Sequence, residues 1–210
     1  MENHHNQLYL CGTLAAPPVP GHEAFGEVFY YIQLSVPRLS GTQDVLPVTL
    51  CARLLPEGGL TVGASLALAG QLRSYNKQEE GVSRLHLTAY ALGVHAPDAQ
   101  RNPNEMALSG VLCKPPVCRT TPFGREIADL MLAVNRAYGK SDYIPCVAWG
   151  QGARMAGQLR VGDCVRLSGR LQSRAYQKKQ DDGTFMPRVA YEVSVSQIHL
   201  APCASGTSGA

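Results

Sequence analysis

The sequence predicts an all-β protein made of two small barrels in tandem. Three observations carry that prediction. The 210-residue chain matches itself at an interval of 98 residues. Its apolar residues alternate with a period of two, and only one ten-residue stretch offers a helix. A length of 210 residues allows one large or two small domains, and the repeat selects two.

The repeat is dense and ordered. Leu10–Leu14 (LCGTL) aligns with Leu108–Leu112 (LSGVL), Pro17-Pro18-Val19 with Pro115-Pro116-Val117, and Phe25-Gly26 with Phe123-Gly124. The match continues through Leu34/Leu132, Val36/Val134, Arg38/Arg136, Gly41/Gly139, Asp44/Asp142 and Pro47/Pro145, giving 14 identities in 38 gapless positions. An interval of 99 then pairs Leu60–Gly63 with Leu159–Gly162, and Gly70, Leu72 and Ser74 with Gly169, Leu171 and Ser173. Matches this dense and in order indicate duplication. The first unit is placed at 1–97, a polar, proline-containing linker at 98–105, the second unit at 106–200, and a small, polar, disordered tail at 201–210.

Within each unit the elements read mainly as strands. Ile32, Leu34 and Val36 alternate with Tyr31, Gln33 and Ser35; Leu130, Leu132 and Val134 alternate with Met131, Ala133 and Asn135. Period two marks a half-buried strand. Turn signals separate the runs at Pro17-Pro18, Glu80-Gly81, Pro115-Pro116 and Asp182-Gly183. Asp182-Gly183, between SRAYQKK and PRVAYEVSV, predicts a long β-hairpin. The single helical stretch is GQGARMAGQL, Gly150 to Leu159; its counterpart holds Pro56, Gly58 and Gly59, so any helix there is shorter. About five strands per unit, with one short helix between the third and fourth, fit the OB-fold, a small closed barrel. A β-sandwich competes but needs more strands per unit.

Composition narrows the function classes. No apolar run reaches the length of a membrane span. The N-terminus, MENHHNQLYL, has neither a charged start nor an apolar core, so a secretory signal is not expected. Seven cysteines, with no CxxC among them, read as ordinary thiols of a reducing cytoplasm. His4 and His5 lack a further ligand at metal spacing, and no metal or other cofactor is expected. Charge is uneven: residues 1–104 hold 6 Lys+Arg against 8 Asp+Glu, a balance of −2, and residues 105–210 hold 13 against 8, a balance of +5. A polyanion therefore suits the second half.

Strand parity locates the aromatic rings. The stretch Arg136–Gly150 (RAYGKSDYIPCVAWG) carries the only tryptophan and two of nine tyrosines. Ile144, Cys146 and Ala148 share one face; Tyr143, Pro145, Val147 and Trp149 share the other. In the next strand Val165, Leu167, Gly169 and Leu171 read as core, opposite Arg166, Ser168, Arg170, Gln172, Arg174 and Tyr176. Base rates put any single ring in a core, and parity alone leaves Trp149 there. Tyr176 shares its face with three arginines and reads as outward. The set weighs differently, because rings interleaved with cations on one barrel face are what single-stranded nucleic acid requires. The first copy of the stretch keeps Arg38, Gly41, Asp44 and Pro47 but none of the three rings. The scaffold does not need them, so a ligand explains them better. Pro47 and Pro145 mark a shared structural break, since proline within a strand fits an edge or a bulge.

These residues carry a resemblance. Over about Asn104 to Leu200 the second unit resembles a bacterial single-stranded DNA-binding protein (SSB) domain, through LSGVL, TTPFGREIADLMLAVNR, SDYIPCVAWG, LRVGDCVRLSGRLQSRAY and VAYEVSVSQIHL. The tandem arrangement resembles the two-OB SSB-like proteins of Clostridia-type Firmicutes. The resemblance implies base stacking at Tyr138, Tyr143, Trp149 and Tyr176. Three of these are tyrosines where the best-known members carry tryptophan. It implies phosphate contacts from Arg125, Arg136 and Lys140, joined by Arg170 and Arg174 from parity and Lys178 from the hairpin, with Lys179 beside it. The first unit has Ser40, Val45, Cys51 and Lys77 at the four ring positions and keeps Arg73, Tyr75 and Lys77, which implies weak DNA binding or a role in assembly. Tyr30 and Tyr31 read there as packing residues. The tail, APCASGTSGA, lacks the acidic tip by which the family recruits repair enzymes.

The leading expectation is a non-catalytic, sequence-tolerant single-stranded DNA-binding protein of replication, repair or recombination. It would be cytoplasmic, nucleoid-associated, and a homodimer bringing four OB units together. RNA stays an alternative ligand, because stacking does not distinguish the sugars. A second reading is a primosome-like or mobile-element accessory protein that binds a protein through the first unit and DNA through the second. A third, a nuclease or thiol-dependent hydrolase, needs a carboxylate cluster or a Cys–His pair. Asp181 and Asp182 read instead as turn residues.

Overall fold

The computed structural model describes residues 6–79, 81–136, 139–180 and 183–202. The first unit comprises β1 (Asn6–Leu14), β2 (Val19–Ala24), β3 (Glu27–Pro37), β4 (Gln43–Cys51), β5 (Ser65–Glu79) and β6 (Val82–His95). The second repeats it as β7 (Asn104–Leu112), β8 (Val117–Thr120), β9 (Glu126–Asn135), β10 (Ser141–Trp149), β11 (Cys164–Lys179) and β12 (Phe185–Leu200). The α-helix α1 (Gln151–Ala156) lies between β10 and β11, and a single 3₁₀ turn at Ala52–Leu54 takes its place in the first unit. Pro56 and the two glycines after it allow no more than that.

Each unit holds one strand more than the five expected. The Pro-Pro pairs end β1 and β7, and the chain then turns back at Phe25-Gly26 and Phe123-Gly124 to lay β2 along β3 and β8 along β9. These short, exposed ribbons cap the sheet edges. A second adjustment is at the linker: β7 begins at Asn104, two residues inside the stretch expected to be linker.

Two repeated glycines close each barrel. A Cβ on Gly12 would stand 2.2 Å from the Ser35 carbonyl oxygen, where β1 bends to reach β3, and one on Gly110 would stand 2.6 Å from that of Ala133. At Gly70 and Gly169 the long strands β5 and β11 bulge, and a Cβ would lie 2.2 and 2.1 Å from the carbonyl oxygens of Tyr90 and Ser194. Only glycine admits so close a backbone. Asn6 and Asn104 serve the same closure: each side-chain amide exchanges two hydrogen bonds, of 2.7–2.9 Å, with the backbone of Leu72 or Leu171.

The alternating apolar residues form the core. Ile32, Leu34 and Val36, and Leu130, Leu132 and Val134, are all buried. Pro145 sits opposite Met131 of β9, and β12 joins β10 only from Cys146 onward. The nitrogen of Pro145 therefore faces a side with no ladder, where a missing donor is harmless. Pro47 repeats this, since β6 meets β4 only at Val48 and Thr49. Cys11, Cys51, Cys113, Cys118 and Cys146 are free thiols; Cys164 departs from the expected reduced set in being disulfide-bonded.

The two barrels share one sheet. Its strand order, β2-β3-β4-β6-β5-β1-β7-β11-β12-β10-β9-β8, reads the same from both ends once repeat equivalents are matched. β1 and β7 pair antiparallel with Leu8 opposite Met106, and with Asn6 and Leu10 opposite Leu108 and Asn104. That register is two-fold symmetric about the Leu8–Met106 pair. The long hairpins cross the seam and are bolted on by reciprocal buried carboxylates. Asp44 accepts two hydrogen bonds from Arg38, at 2.6 Å each, and is reached by the Ser173 amide (2.7 Å), the Ser173 hydroxyl (2.9 Å) and Arg170 (3.5 Å) of the other unit. Asp142 accepts from Arg136 in its own unit, and from the Ser74 amide and Arg73 (3.3 Å) of the first. Arg38 and Arg136 each also donate across the seam, to the Ser173 and Ser74 carbonyls.

Candidate nucleic-acid interface

Strand β10 presents the rings. Ile144, Cys146 and Ala148 point inward and are buried, which turns Tyr143 and Trp149 outward at 48% and 41% exposure. The base rate for tryptophan favours a core; its position at the strand end, before Gly150, opens Trp149 to solvent. Gly150 holds a positive φ of 53° there, starting α1. Arg125, Glu126 and Arg154 line an open cleft of about 480 Å³ with Trp149. Arg154 pairs with Glu126 across it. Phe123, at the tip of the β8–β9 turn just before Arg125, is 91% exposed. Phe123 and Arg154 are not among the expected site residues. The signal for Phe123 is a bulky apolar residue in a turn tip; for Arg154, it is the placement of α1 directly after the ring-bearing strand.

Strand β11 supplies the second row. Val165, Leu167 and Leu171 are buried, and Arg174 and Tyr176 face out, with the Arg174 guanidinium 5.7 Å from the Tyr176 ring centre. Arg174 is held by Glu192 at 3.3 and 3.4 Å. Lys140, Lys178 and Lys179 are exposed. Tyr138 lies outside the described residues, as do Asp181 and Asp182.

Two of the expected phosphate contacts are engaged elsewhere. The Arg136 guanidinium is committed to Asp142 and the Ser74 carbonyl. Arg170 lies between Asp44 and Gln172, and burial, together with the charge of Arg38, lowers its pKa. Their donors already serve the seam, so neither offers a full guanidinium to a phosphate. The repeat carries the clue, because Arg38 and Asp44 recur in a unit without the rings. In that first unit Val45 is exposed, Cys51 is buried against Glu27, Lys77 is exposed, and Arg73 is bound to Gln71 and Asp142.

Among the described residues, no group of three or more His, Cys, Asp and Glu is placed to hold a metal, and no helix is long and apolar enough to cross a membrane.

A tandem OB protein with a ring-and-cation face on its second barrel is the class these features define. Residues 103–201, a little under half of the chain, match the single-strand binding protein family. The single-stranded DNA-binding protein A of Bacillus subtilis (strain 168) is 36% identical over 113 residues, covering 50% of this chain and 64% of that protein. The single-stranded DNA-binding protein of Clostridium tetani is 38% identical over 88 residues, covering 39% and 59%. The chain thus spans less than two thirds of the length of these relatives. The crystal structure of the wild-type single-stranded DNA binding protein from Thermus aquaticus superposes with a TM-score of 0.74 at 23% identity, covering 97% of this chain and 96% of that one. It shows the tandem fold across both units.

Proposed function

We propose that this protein binds single-stranded DNA without sequence preference and without catalysis, acting in replication, repair or recombination at the nucleoid. The observation that carries the reading is the pair Tyr143 and Trp149, both about half exposed on one face of β10, inside the unit that matches the family. Bases stack on such rings whatever their identity, and cations follow the phosphates. In this reading Tyr138, Tyr143, Trp149 and Tyr176 stack bases, and Arg125, Lys140, Arg174 and Lys178 contact phosphates. Arg136 and Arg170 hold the surface in place. Residues 1–97 and 106–200 act as the two units, and two chains assemble into a homodimer.

Trp149 is the only tryptophan, so its fluorescence reports on this surface alone. Titration of the whole protein with oligo-dT at low salt is expected to quench it. Trp149→Ala is expected to weaken binding by about 1–3 kcal/mol. The logarithm of affinity should fall with the logarithm of salt by about 0.7 per phosphate neutralised. Oligo-U run in parallel separates the sugars, and duplex DNA is the control. Absence of quenching by oligo-dT, with affinity indifferent to Trp149→Ala, would remove the reading.

A further inference from the structure

The first unit lacks rings at the four positions used by the second, yet it is not ring-poor on its surface. Tyr31 on β3 is 46% exposed and Tyr75 on β5 is 49% exposed, and both line one cleft of about 220 Å³. Each ring is propped from behind. Tyr75 stacks on His86 of the paired strand, with centroids 5.4 Å apart and planes 17° apart. The Tyr31 hydroxyl meets His22 Nδ1 at 3.1 Å, and His22 lies flat on the buried Phe29 at 4.8 Å. The floor between them carries Thr49 and Thr88, hydrogen-bonded to each other at 2.9 Å. Rings needed only for packing would be covered; these are held in fixed planes with about half their surface in solvent.

The second unit has none of this set. The position of Tyr31 is taken by Asp129, that of His22 by Thr120 and that of Tyr75 by Arg174, which pairs with Ala190 where Tyr75 pairs with His86. The two repeats have therefore placed rings at complementary positions on the same scaffold. Charge accompanies the first set as well. Glu79, at the end of β5, is surrounded by Arg84 (3.4 Å), His86 (3.2 Å), Lys77 (4.0 Å) and, from the second unit, Arg188 (4.0 Å). Glu79 thus gathers cationic side chains of both units at the end of the hairpin. The other unit also touches β5 beside this site: Ser74, the residue before Tyr75, accepts the Tyr143 amide at 2.8 Å.

We infer that the first unit carries a second base-stacking site for single-stranded DNA, built on Tyr31 and Tyr75. A strand lying on Tyr143 continues onto the β5–β6 hairpin and stacks there. The inference rests on the second unit being a single-stranded DNA surface. Its test uses the whole protein, with Trp149 quenching as the readout, on short and long oligo-dT. Tyr31→Ala/Tyr75→Ala should leave quenching by a short oligomer intact and weaken binding of a long one about tenfold or more. Tyr31→Phe/Tyr75→Phe, which keeps the rings, should restore it. Photo-crosslinking of the unmodified protein to oligo-dT carrying 5-iodouracil should yield adducts at Tyr31 or Tyr75, a result that does not depend on how well any variant folds. Unchanged affinity for long oligomers, or crosslinks confined to the second unit, overturns the inference; the latter outcome leaves the rings as a protein-docking surface. Loss of Trp149 quenching in the wild type is a separate failure, of the second-unit surface.

Discussion

At the scale of single residues, the buried aspartates decide more than the rings do. Asp44 and Asp142 are fully buried, and each binds an arginine of its own unit and the long strand of the other. Removing one leaves an arginine and a backbone amide without their acceptor, and such a loss costs about 3–5 kcal/mol. Asp44→Ala should lower the urea-unfolding free energy by that amount; a loss under about 1 kcal/mol would mean the clamp contributes nothing. Burial raises the pKa of Asp44, but hydrogen bonds from Arg38 and Ser173 outweigh it and hold the group below its ordinary value. A depressed folded-state pKa gives stability that is complete above the unfolded value, about 3.9, and is lost as pH falls through the folded one. Wild-type stability should therefore decline below about pH 4, and the Asp44→Ala protein should show a shallower decline in acid unfolding curves.

At the scale of elements, the alternating strands and the hairpins are legible in the sequence because each declares itself locally. Period-two runs such as Ile32–Leu34–Val36 need only their own side chains to be read. The closure devices are not legible. Asn6 and Asn104 look like surface residues until the strand that receives their amides is known, 66 or 67 positions away. Arg136 reads as a phosphate ligand for the same reason, its acceptors being Asp142 nearby and Ser74 in the other unit. Tyr31 reads as packing because parity gives a face but not whether that face is covered. The β11–β12 hairpin offers a test at this scale. Its first strand carries Lys178 and Lys179, both exposed. Lys178→Ala/Lys179→Ala should reduce the salt slope of oligo-dT binding by up to about 1.4, or about 0.7 for each phosphate no longer neutralised. Stability should barely change, as surface substitutions far from buried groups seldom matter. An unchanged slope would make both lysines merely solvated.

At the scale of the whole molecule, one chain already contains the two-fold arrangement that a single-barrel protein reaches only by pairing. The covalent link frees the halves to differ, because each half need satisfy only its own side of the seam. The sheet nonetheless remains open to a further partner. Along the β1–β7 seam runs a concavity of about 680 Å³ lined from both units, with Leu92 among its lining residues. Leu92 is 58% exposed. A two-fold dimer through this concavity would place the same patch on both chains. Two chains joined there would set four barrels around one strand. Light scattering at micromolar concentration should then give twice the chain mass, and Leu92→Glu, by burying two unpaired carboxylates at the contact, should shift the mass toward that of one chain. A monomeric mass for the wild type would leave each chain to bind DNA with its own two barrels, and the Leu92 face would then have no role in assembly.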